Sequence, residues 1–490
     1  GIPYVDYRLF KQSQEEGTDY YSNTFQYLRN LAFFGMATYS YKGRYTINGT
    51  LRYEGSNMLG KSRQARWLPT WNVSGSWNAH EENWWAPTFG KAWTYASLKA
   101  SYSLTADRGP ASNSLAVFQS FTPWRPSTSA NESAIILAAL ENSELTYEKK
   151  NELNIGVALG FVDNRINVEF DWYRRNNFDL IGYTQTMGVG GVTTKLANDA
   201  TMESTGCEFT ISTTNIKTKD FKWTTDWIFG WAENTITKLD SRSQVYSLVN
   251  GVGRTEGRPI GALYSIPFAG LTEEGLPTFF IDAEHTQVVG PGNYADIYFQ
   301  EYENIDYLKY EGTIDPKITG SFGNTFSWKG LKLNVFFTYS FGNVLRLDNL
   351  CPVYSSDYSD LTASMKEMKN RWMVPGDENV TTIPSIPTVR QMREIDALNN
   401  AYSAYNYSTE RVAKGDFIRL KELSLAYDLP KKYFEGQNAV SSFGVKLSAT
   451  NLWLAYADKK LNGRDPEYYN SGGVSSPVPR QFTLTVKLGF

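Results

Sequence analysis

Residues that usually carry catalysis or bind metals are scarce in this sequence. Its 490 residues include only two histidines, His80 and His285, and two cysteines, Cys207 and Cys351. Neither histidine lies beside a cysteine or in an array of the His-x-x-His kind, so a histidine-rich zinc site and a Ser-His-Asp triad both lack support. We therefore predict that the protein is not an enzyme and has no catalytic, metal or cofactor site.

Long apolar runs and strong charge are also missing. No stretch approaches the roughly 20 consecutive apolar residues of a membrane-spanning helix, which excludes a helical membrane protein. The net charge is −3 and no segment is rich in Lys and Arg, so nucleic acid is not an expected partner. The N-terminus has neither the basic nor the apolar region of a signal peptide, and we expect the chain to be part of a longer or processed protein.

Aromatic residues, in contrast, are abundant. They make up 15% of the chain, while a mean hydropathy of −0.42 is polar overall. A β-barrel with one face in lipid and the other in water has this composition, because apolar and polar residues alternate and rings collect at both membrane interfaces. A soluble, ring-rich carbohydrate-binding β protein would have a similar composition and is the alternative.

Apolar and polar residues alternate with a period of two in many segments, which places them on opposite faces of a strand. In one hairpin, Leu153 to Phe161 alternate in this way, and the pattern resumes after a tight connection at 162–165. The alternation slips by one residue within 417–423, which indicates a β-bulge. The thirteen strands that we predict lie at about 31–41, 43–53, 66–78, 91–105, 153–161, 166–172, 207–213, 221–236, 317–328, 331–341, 413–428, 441–456 and 478–490.

Short and long connections alternate between these strands. The short ones lie at about 42–43, 79–90, 162–165, 215–220, 329–330 and 429–440, and the long ones at about 106–146, 178–200, 237–312, 346–412 and 457–477. The link at about 54–65 is of intermediate length. Bacterial outer-membrane barrels have short periplasmic turns and long extracellular loops, so we assign the short links to the periplasmic rim. The segment 237–312 could either add a strand pair or decorate an extracellular loop. In 346–412, the spacing of Leu361, Met365, Met368 and Trp372 predicts a short helix.

The C-terminus is an amphipathic strand that ends in an aromatic residue. Its apolar face consists of Phe482, Leu484, Val486, Leu488 and Phe490. This pattern resembles the C-terminal signal by which the barrel-assembly machinery recognises its clients. An ordinary terminal strand is the alternative.

Further motifs follow one another in a fixed order. They are Leu145-Thr146-Tyr147-Glu148-Lys149-Lys150, Asn164-Arg165-Ile166, Asp171-Trp172-Tyr173, Gly206-Cys207-Glu208, Trp372-Met373-Val374-Pro375-Gly376-Asp377, Gly415-Asp416-Phe417-Ile418-Arg419-Leu420-Lys421 and Asp465-Pro466-Glu467. As an ordered set that covers about residues 28–490, they resemble the SusC/RagA family of TonB-dependent outer-membrane transporters. The pair Ser204-Thr205 departs from the Asn-Lys that usually precedes Gly206 in this family, without harming the strand.

The resemblance implies an all-β fold, a transmembrane antiparallel β-barrel of 22 strands around a plug. Residues 1–490 would form a single C-terminal β-barrel segment with about 13–14 of these strands. The plug, the TonB box and the N-terminal strands would then lie outside this chain. The resemblance also implies residence in the outer membrane of a Gram-negative bacterium of the Bacteroidetes type.

The function implied is nutrient import. Family members take up oligosaccharides or peptides together with a SusD-like surface lipoprotein, and TonB would act through the missing N-terminal part. A passive porin-like channel and an outer-membrane enzyme are alternatives. Among the loop aromatics, Phe121, Trp124 and Tyr264 are candidates for stacking on sugars or holding peptide, and a place in an aromatic girdle or in a loop core is the competing interpretation.

Overall fold

A single large antiparallel sheet dominates the structure. The computed structural model describes residues 27–59, 63–90, 92–109, 114–121, 134–188, 191–350, 366–430, 441–469 and 479–489. Within these residues no helix is long and apolar enough to cross a membrane. The described strands are β1 (Asn30–Tyr41), β2 (Tyr45–Ser56), β3 (Trp67–Asn78), β4 (Trp93–Asp107), β5 (Val117–Phe121), β6 (Ala134–Ala139), β7 (Glu148–Phe161), β8 (Ile166–Gln185), β9 (Thr194–Lys217), β10 (Phe221–Leu239), β11 (Ala262–Ser265), β12 (Phe268–Leu271), β13 (Pro277–Phe280), β14 (Val288–Val289), β15 (Lys309–Thr313), β16 (Ile318–Trp328), β17 (Leu331–Phe341), β18 (Val344–Arg346), β19 (Val412–Lys414), β20 (Phe417–Asp428), β21 (Ser442–Ala457) and β22 (Gln481–Gly489).

Five short α-helices lie in the described parts of the connections. They are α1 (Arg63–Arg66), α2 (Trp85–Phe89), α3 (Val245–Val249), α4 (Val389–Glu394) and α5 (Leu398–Asn406). Of the residues predicted to form a helix before Pro375, Met368 is buried in a 3-10 helix at Lys366–Asn370, and Trp372 follows it. Leu361 and Met365 lie outside the described residues.

The large sheet contains thirteen strands in the order β1-β2-β3-β4-β7-β8-β9-β10-β16-β17-β20-β21-β22. The thirteen segments predicted from alternation are these same strands, so the predicted barrel wall is confirmed. Within the described residues, β1 pairs only with β2 and β22 only with β21. In the described residues the sheet therefore has two edges without a partner strand, at β1 and at β22.

Each strand has one apolar and one polar face, as the alternation predicts. On the outer face of the sheet, Trp227 of β10 pairs with Phe322 of β16, which in turn pairs with Phe337 of β17. Trp227 and Phe322 are 38% and 43% exposed. Because these side chains stay exposed in the described part of the chain rather than packing under a second sheet, the soluble sandwich does not fit.

A few polar side chains also face outward, and they bond to one another. The Trp223 indole N–H donates to Asn324 at 2.9 Å, and the Thr225 hydroxyl donates to the same amide oxygen at 2.8 Å. Polar groups beside hydrocarbon cost little only when their hydrogen bonds are satisfied internally. Trp223 of this cluster lies three residues after the short turn at 218–220, and Asn324 lies five residues before the short turn at Lys329-Gly330.

The connections follow the predicted alternation, with one difference. Strands β8 and β9 contain 20 and 24 residues, whereas about 9–11 residues suffice to cross a bilayer. The predicted loop at 178–200 is therefore largely a continuation of these two strands. The actual connection runs only from Gln185, where β8 ends, to Thr194, where β9 begins. Backbone pairing across this extension replaces the long loop that the sequence suggested.

The long connections beyond β10 and β17 form a separate body above the sheet. We call the described residues of 240–317 and 342–416 the loop module. Its small sheets are β11-β15, β12-β13-β14 and β18-β19. The short strands within the segment 237–312 therefore belong to the loop and add no strand to the wall. Its core contains fully buried Tyr405 of α5, Phe279 of β13 and Tyr294.

Candidate ligand site at the mouth of the lumen

The phase slip predicted in 417–423 is a real β-bulge in β20. The register between β17 and β20 shifts so that Phe336 pairs with Glu422 and Phe337 with Leu420, which leaves Lys421 as the extra residue. The pairing of β20 with β21 shifts at the same place. A bulge redirects side chains, and here two adjacent charged residues, Lys421 and Glu422, both line cavities on the inner side of the wall.

Lys421 lines a cavity of about 640 Å³ at the long-loop end of the wall. The polar and aromatic groups around it come from β16, β17, β20 and the loops above them. They are Thr319, Thr338, Ser340, Asn343, Phe417, Lys421 and Glu467. Among the described residues, no carboxylate lies within 4.0 Å of the Lys421 ammonium group, so this cation is available to a ligand.

Asn343 contributes a second unused group. Its amide N–H donates to the Ile314 carbonyl at 3.3 Å, but its side-chain oxygen is buried and accepts no hydrogen bond from the described residues. A buried acceptor without a partner costs about 1–3 kcal/mol. A ligand that donates a hydroxyl or amide hydrogen at this point would remove that cost.

A buried ion pair closes the cavity on one side. Arg419 of β20 is 4% exposed, and its Nη2 lies 2.5 Å from Asp465 Oδ1 and 3.1 Å from Glu467 Oε2. The guanidinium also lies 5.3 Å from the centre of the Phe417 ring. The two motifs that contain Arg419 and Asp465 are 46 residues apart in sequence, and the pair holds the 465–467 turn against the barrel wall.

Arg346, next to the cavity-lining residue Leu345, ties the loop module together. Its guanidinium donates to the carbonyls of Tyr264, Val249 and Ser408, at 2.5, 3.2 and 3.0 Å. Burial lowers the pKa of Arg346 to about 10, and the nearby Glu311 partly offsets this effect. The side chain therefore remains charged at neutral pH and satisfies carbonyls from three separate segments.

Tyr264, one of the three candidate ligand residues proposed from sequence, does not line this cavity. Tyr264 is 8% exposed and packs 5.6 Å from the Tyr310 ring in the loop module. Phe121 ends β5, where its backbone pairs with Ala134, and Trp124 lies outside the described residues. Their contact with ligand stays a prediction.

The sequence did not predict Asn343 as a site residue, and it indicated Lys421 only as part of a family motif. The phase slip was the signal for Lys421, because an extra residue in a strand places a side chain out of the regular order. For Asn343 the sequence contains no comparable signal.

The C-terminal strand has the predicted two faces. Phe482, Leu484, Val486 and Leu488 all face outward and are between 53% and 68% exposed. Phe490 lies outside the described residues. Recognition of this strand by the assembly machinery stays a prediction.

Comparison with known proteins shows that the chain is similar to TonB-dependent receptors. No protein-family model matches it. It is 26% identical to TonB-dependent receptor P3 of Formosa agariphila over 93% of this chain and 45% of the relative. It is 27% identical to TonB-dependent receptor SusC of Bacteroides thetaiotaomicron, over 43% of this chain and 21% of the relative. The chain spans about half the length of the Formosa relatives that it matches.

A solved structure shares the fold. The structure described as the RagAB peptide transporter superposes with a TM-score of 0.72 at 22% identity, covering 94% of this chain and 47% of the other. The chain is thus similar in sequence to TonB-dependent receptors that include SusC, and it shares the fold of the RagAB structure.

Proposed function

We propose that the chain is the C-terminal barrel segment of an importer that takes up oligosaccharides or peptides across the outer membrane. The observation that carries the proposal is the two-faced, thirteen-stranded wall with a cavity at its mouth that Lys421 and Asn343 line. An apolar outer face suits lipid, and a polar inner face suits a passage for water-soluble nutrients. The chain itself performs no bond chemistry in this scheme.

The free edges of β1 and β22 support the proposal that other segments of the whole protein complete the barrel. Unpaired strand edges cannot face hydrocarbon, because their backbone groups would lack hydrogen-bond partners. Further strands, a plug and a TonB box, supplied by sequence outside this chain, would close the barrel and couple transport to TonB. A SusD-like lipoprotein would cover the mouth and contact the loop module.

The ligand chemistry of the cavity is compatible with both proposed substrate classes. Lys421 can bind a carboxylate or a sugar oxygen, and the free Asn343 oxygen accepts from either a hydroxyl or an amide N–H. A cavity of about 640 Å³ lies within the range of about 300–1,000 Å³ that small-molecule sites usually occupy. It would therefore hold a short piece of a longer oligomer.

Uptake measurements test the proposal. We expect deletion of the full-length gene to abolish uptake of either a labelled oligosaccharide mixture or a labelled peptide mixture, and loss of TonB function to abolish the same uptake. Uptake that survives loss of TonB would indicate a passive channel and contradict the proposal. Repeating the assay without the neighbouring lipoprotein gene tests the partner.

Matched lysine variants test the cavity. Loss of one charge-assisted hydrogen bond costs about 1.5–3 kcal/mol, so Lys421→Gln should weaken binding of the accepted substrate about tenfold or more. Lys329→Gln, at a short turn on the opposite rim, is the control and should bind normally. Equal affinities in the two variants would remove the cavity from the mechanism and leave the transport proposal standing.

A further inference from the structure

The inner face of the wall is divided into an acidic and a basic sector. Strands β8, β9 and β10 carry carboxylates on this face, and among the described residues no cation lies within 4.0 Å of them. They are Glu169, Asp171, Glu208 and Asp226. Strands β17, β21 and β22 instead carry Lys332, Lys446 and Lys487 on the inner face. The described part of the lumen therefore has negative charge on one side and positive charge on the other.

The three lysines line one cavity of about 440 Å³, which we call the lysine cavity. Lys332 and Lys446 both pair with Ala426, which lies between them on β20, and neighbouring strands are about 4.8 Å apart. Lys487 pairs with Gly444, two residues from Lys446. Because Ala426 and Gly444 are small, they leave room between the lysines. The ammonium groups can therefore reach a single ligand from three strands.

Two of these lysines have no close counter-ion. Lys446 Nζ lies 3.3 Å from Glu422 Oε1, whereas no carboxylate of the described residues lies within 4.0 Å of Lys332 or Lys487. Asp428 is the second acid that lines the cavity, and neutral polar groups complete the lining, namely Thr325, Asn334 and Ser424. Three lysines thus face two carboxylates, and two of the ammonium groups are available to a ligand.

The lysine cavity and the cavity at the mouth are neighbours along β20. Glu422 lines the former, and the adjacent Lys421 lines the latter. Lys421 lies five residues before Ala426, so the cations of the two cavities are about 16 Å apart at about 3.3 Å per residue. An anion that moves inward from the mouth would meet one cation after the other on this side, while the carboxylates of β8, β9 and β10 would repel it from the other side.

We propose that the lysine cavity is a second ligand site in the lumen and that it binds carboxylate or sulfate groups of a substrate that carries several negative charges. The inference rests on the proposed import function, and it narrows the substrate to acidic oligosaccharides or acidic peptides. A lysine ammonium group is a compact charge with three donors, which suits carboxylate and sulfate oxygens. A neutral oligomer would leave two ammonium groups without an anionic partner and would therefore bind less tightly.

Retention of mixed probes by the purified full-length gene product tests the site. One mixture contains neutral, uronate-containing and sulfated oligosaccharides of equal length, and the other contains peptides with glutamate and glutamine exchanged at the same positions. We expect one mixture to be retained, with its acidic members enriched about tenfold over its neutral ones. The retained mixture identifies whether a sugar or a peptide supplies the anionic groups. Added salt should lower the enrichment, because it screens exposed charges.

Matched lysine variants locate the source of the enrichment. Lys332→Gln combined with Lys487→Gln should lower it to less than about twofold, because both available charges are lost. Lys99→Gln removes an exposed lysine from the inner face of β4 and should leave the enrichment unchanged. Replacing Lys332 and Lys487 by arginine keeps both charges and should keep most of the enrichment. Should the double glutamine variant not assemble, each single change makes the same comparison.

Two results would overturn the lysine cavity as an anion site while leaving import itself standing. One is retention of neutral members at least as strongly as acidic ones. The other is unchanged enrichment in the double glutamine variant. Retention of neither mixture by the unaltered protein would contradict the proposed import function, and this inference with it.

Discussion

Removing Arg419 tests whether the 465–467 turn depends on a buried ion pair. In Arg419→Met the volume is nearly kept, but Asp465 and Glu467, which are 11% and 41% exposed, lose their cation. Breaking a buried pair by removing one partner typically costs about 3–5 kcal/mol. Because Glu467 is partly solvated, we expect the lower end of that range, about 3 kcal/mol.

The loss should appear as local opening of the turn. The backbone amides of Tyr468 and Tyr469 donate to the carbonyls of Asp465 and Pro466 across this turn, so their hydrogen exchange reports its opening. A cost of about 3 kcal/mol corresponds to exchange about 100-fold faster. Arg390→Met is the control, because the exposed Arg390–Glu394 pair within α4 should contribute no more than about 0.5 kcal/mol.

A double-mutant cycle separates pairing from packing. If the pair is the cause, Asp465→Asn and Arg419→Met should together cost clearly less than the sum of the two single changes. Strict additivity, or unchanged exchange in Arg419→Met, would refute the assignment of Arg419 as the residue that holds the turn.

Three further predictions concern the loop module and the wall. Arg346→Met removes the hydrogen bonds to three carbonyls and should make the loop module sensitive to protease at neutral pH. The barrel itself should still migrate on gels as a folded species that resists unfolding by heat. Burial, together with the Glu301 charge, raises the pKa of Tyr307 to about 12. Because an unfolded tyrosine ionises near pH 10, the stability tied to Tyr307 is full below pH 10 and is lost as pH rises toward 12, and protease resistance of Tyr307→Phe should decline less over that range. Gly320→Ala should prevent assembly into heat-resistant barrel, because its added methyl would lie 2.3 Å from the Ile228 carbonyl oxygen, whereas Gly35→Ala, with open space around it, should assemble normally.

Much of the architecture could be predicted because adjacent residues of a strand point to opposite faces of the sheet, so their polarity shows which face is apolar. Alternation such as Leu153 to Phe161 identifies a strand without knowledge of its neighbours, and short turns such as Lys329-Gly330 fix which strands pair. The bulge at Lys421 was predictable for the same reason, since it breaks a local period. The loop module was not predictable, because its core joins residues such as Phe279 and Tyr405 that are distant in sequence and follow no periodic pattern.

The sequence by itself determined the thirteen-stranded wall, its apolar and polar faces and the alternation of short and long connections, since each depends on contacts between neighbouring residues in a strand or across a turn. Only the tertiary structure decided how the connections fold. It brought Arg419 to Asp465, left the Asn343 oxygen unpaired beside Lys421, and laid Trp85 on the outside of the wall. These contacts depend on where segments 46 or more residues apart meet in space, or on the direction in which a connection turns, and neither is encoded in a local pattern.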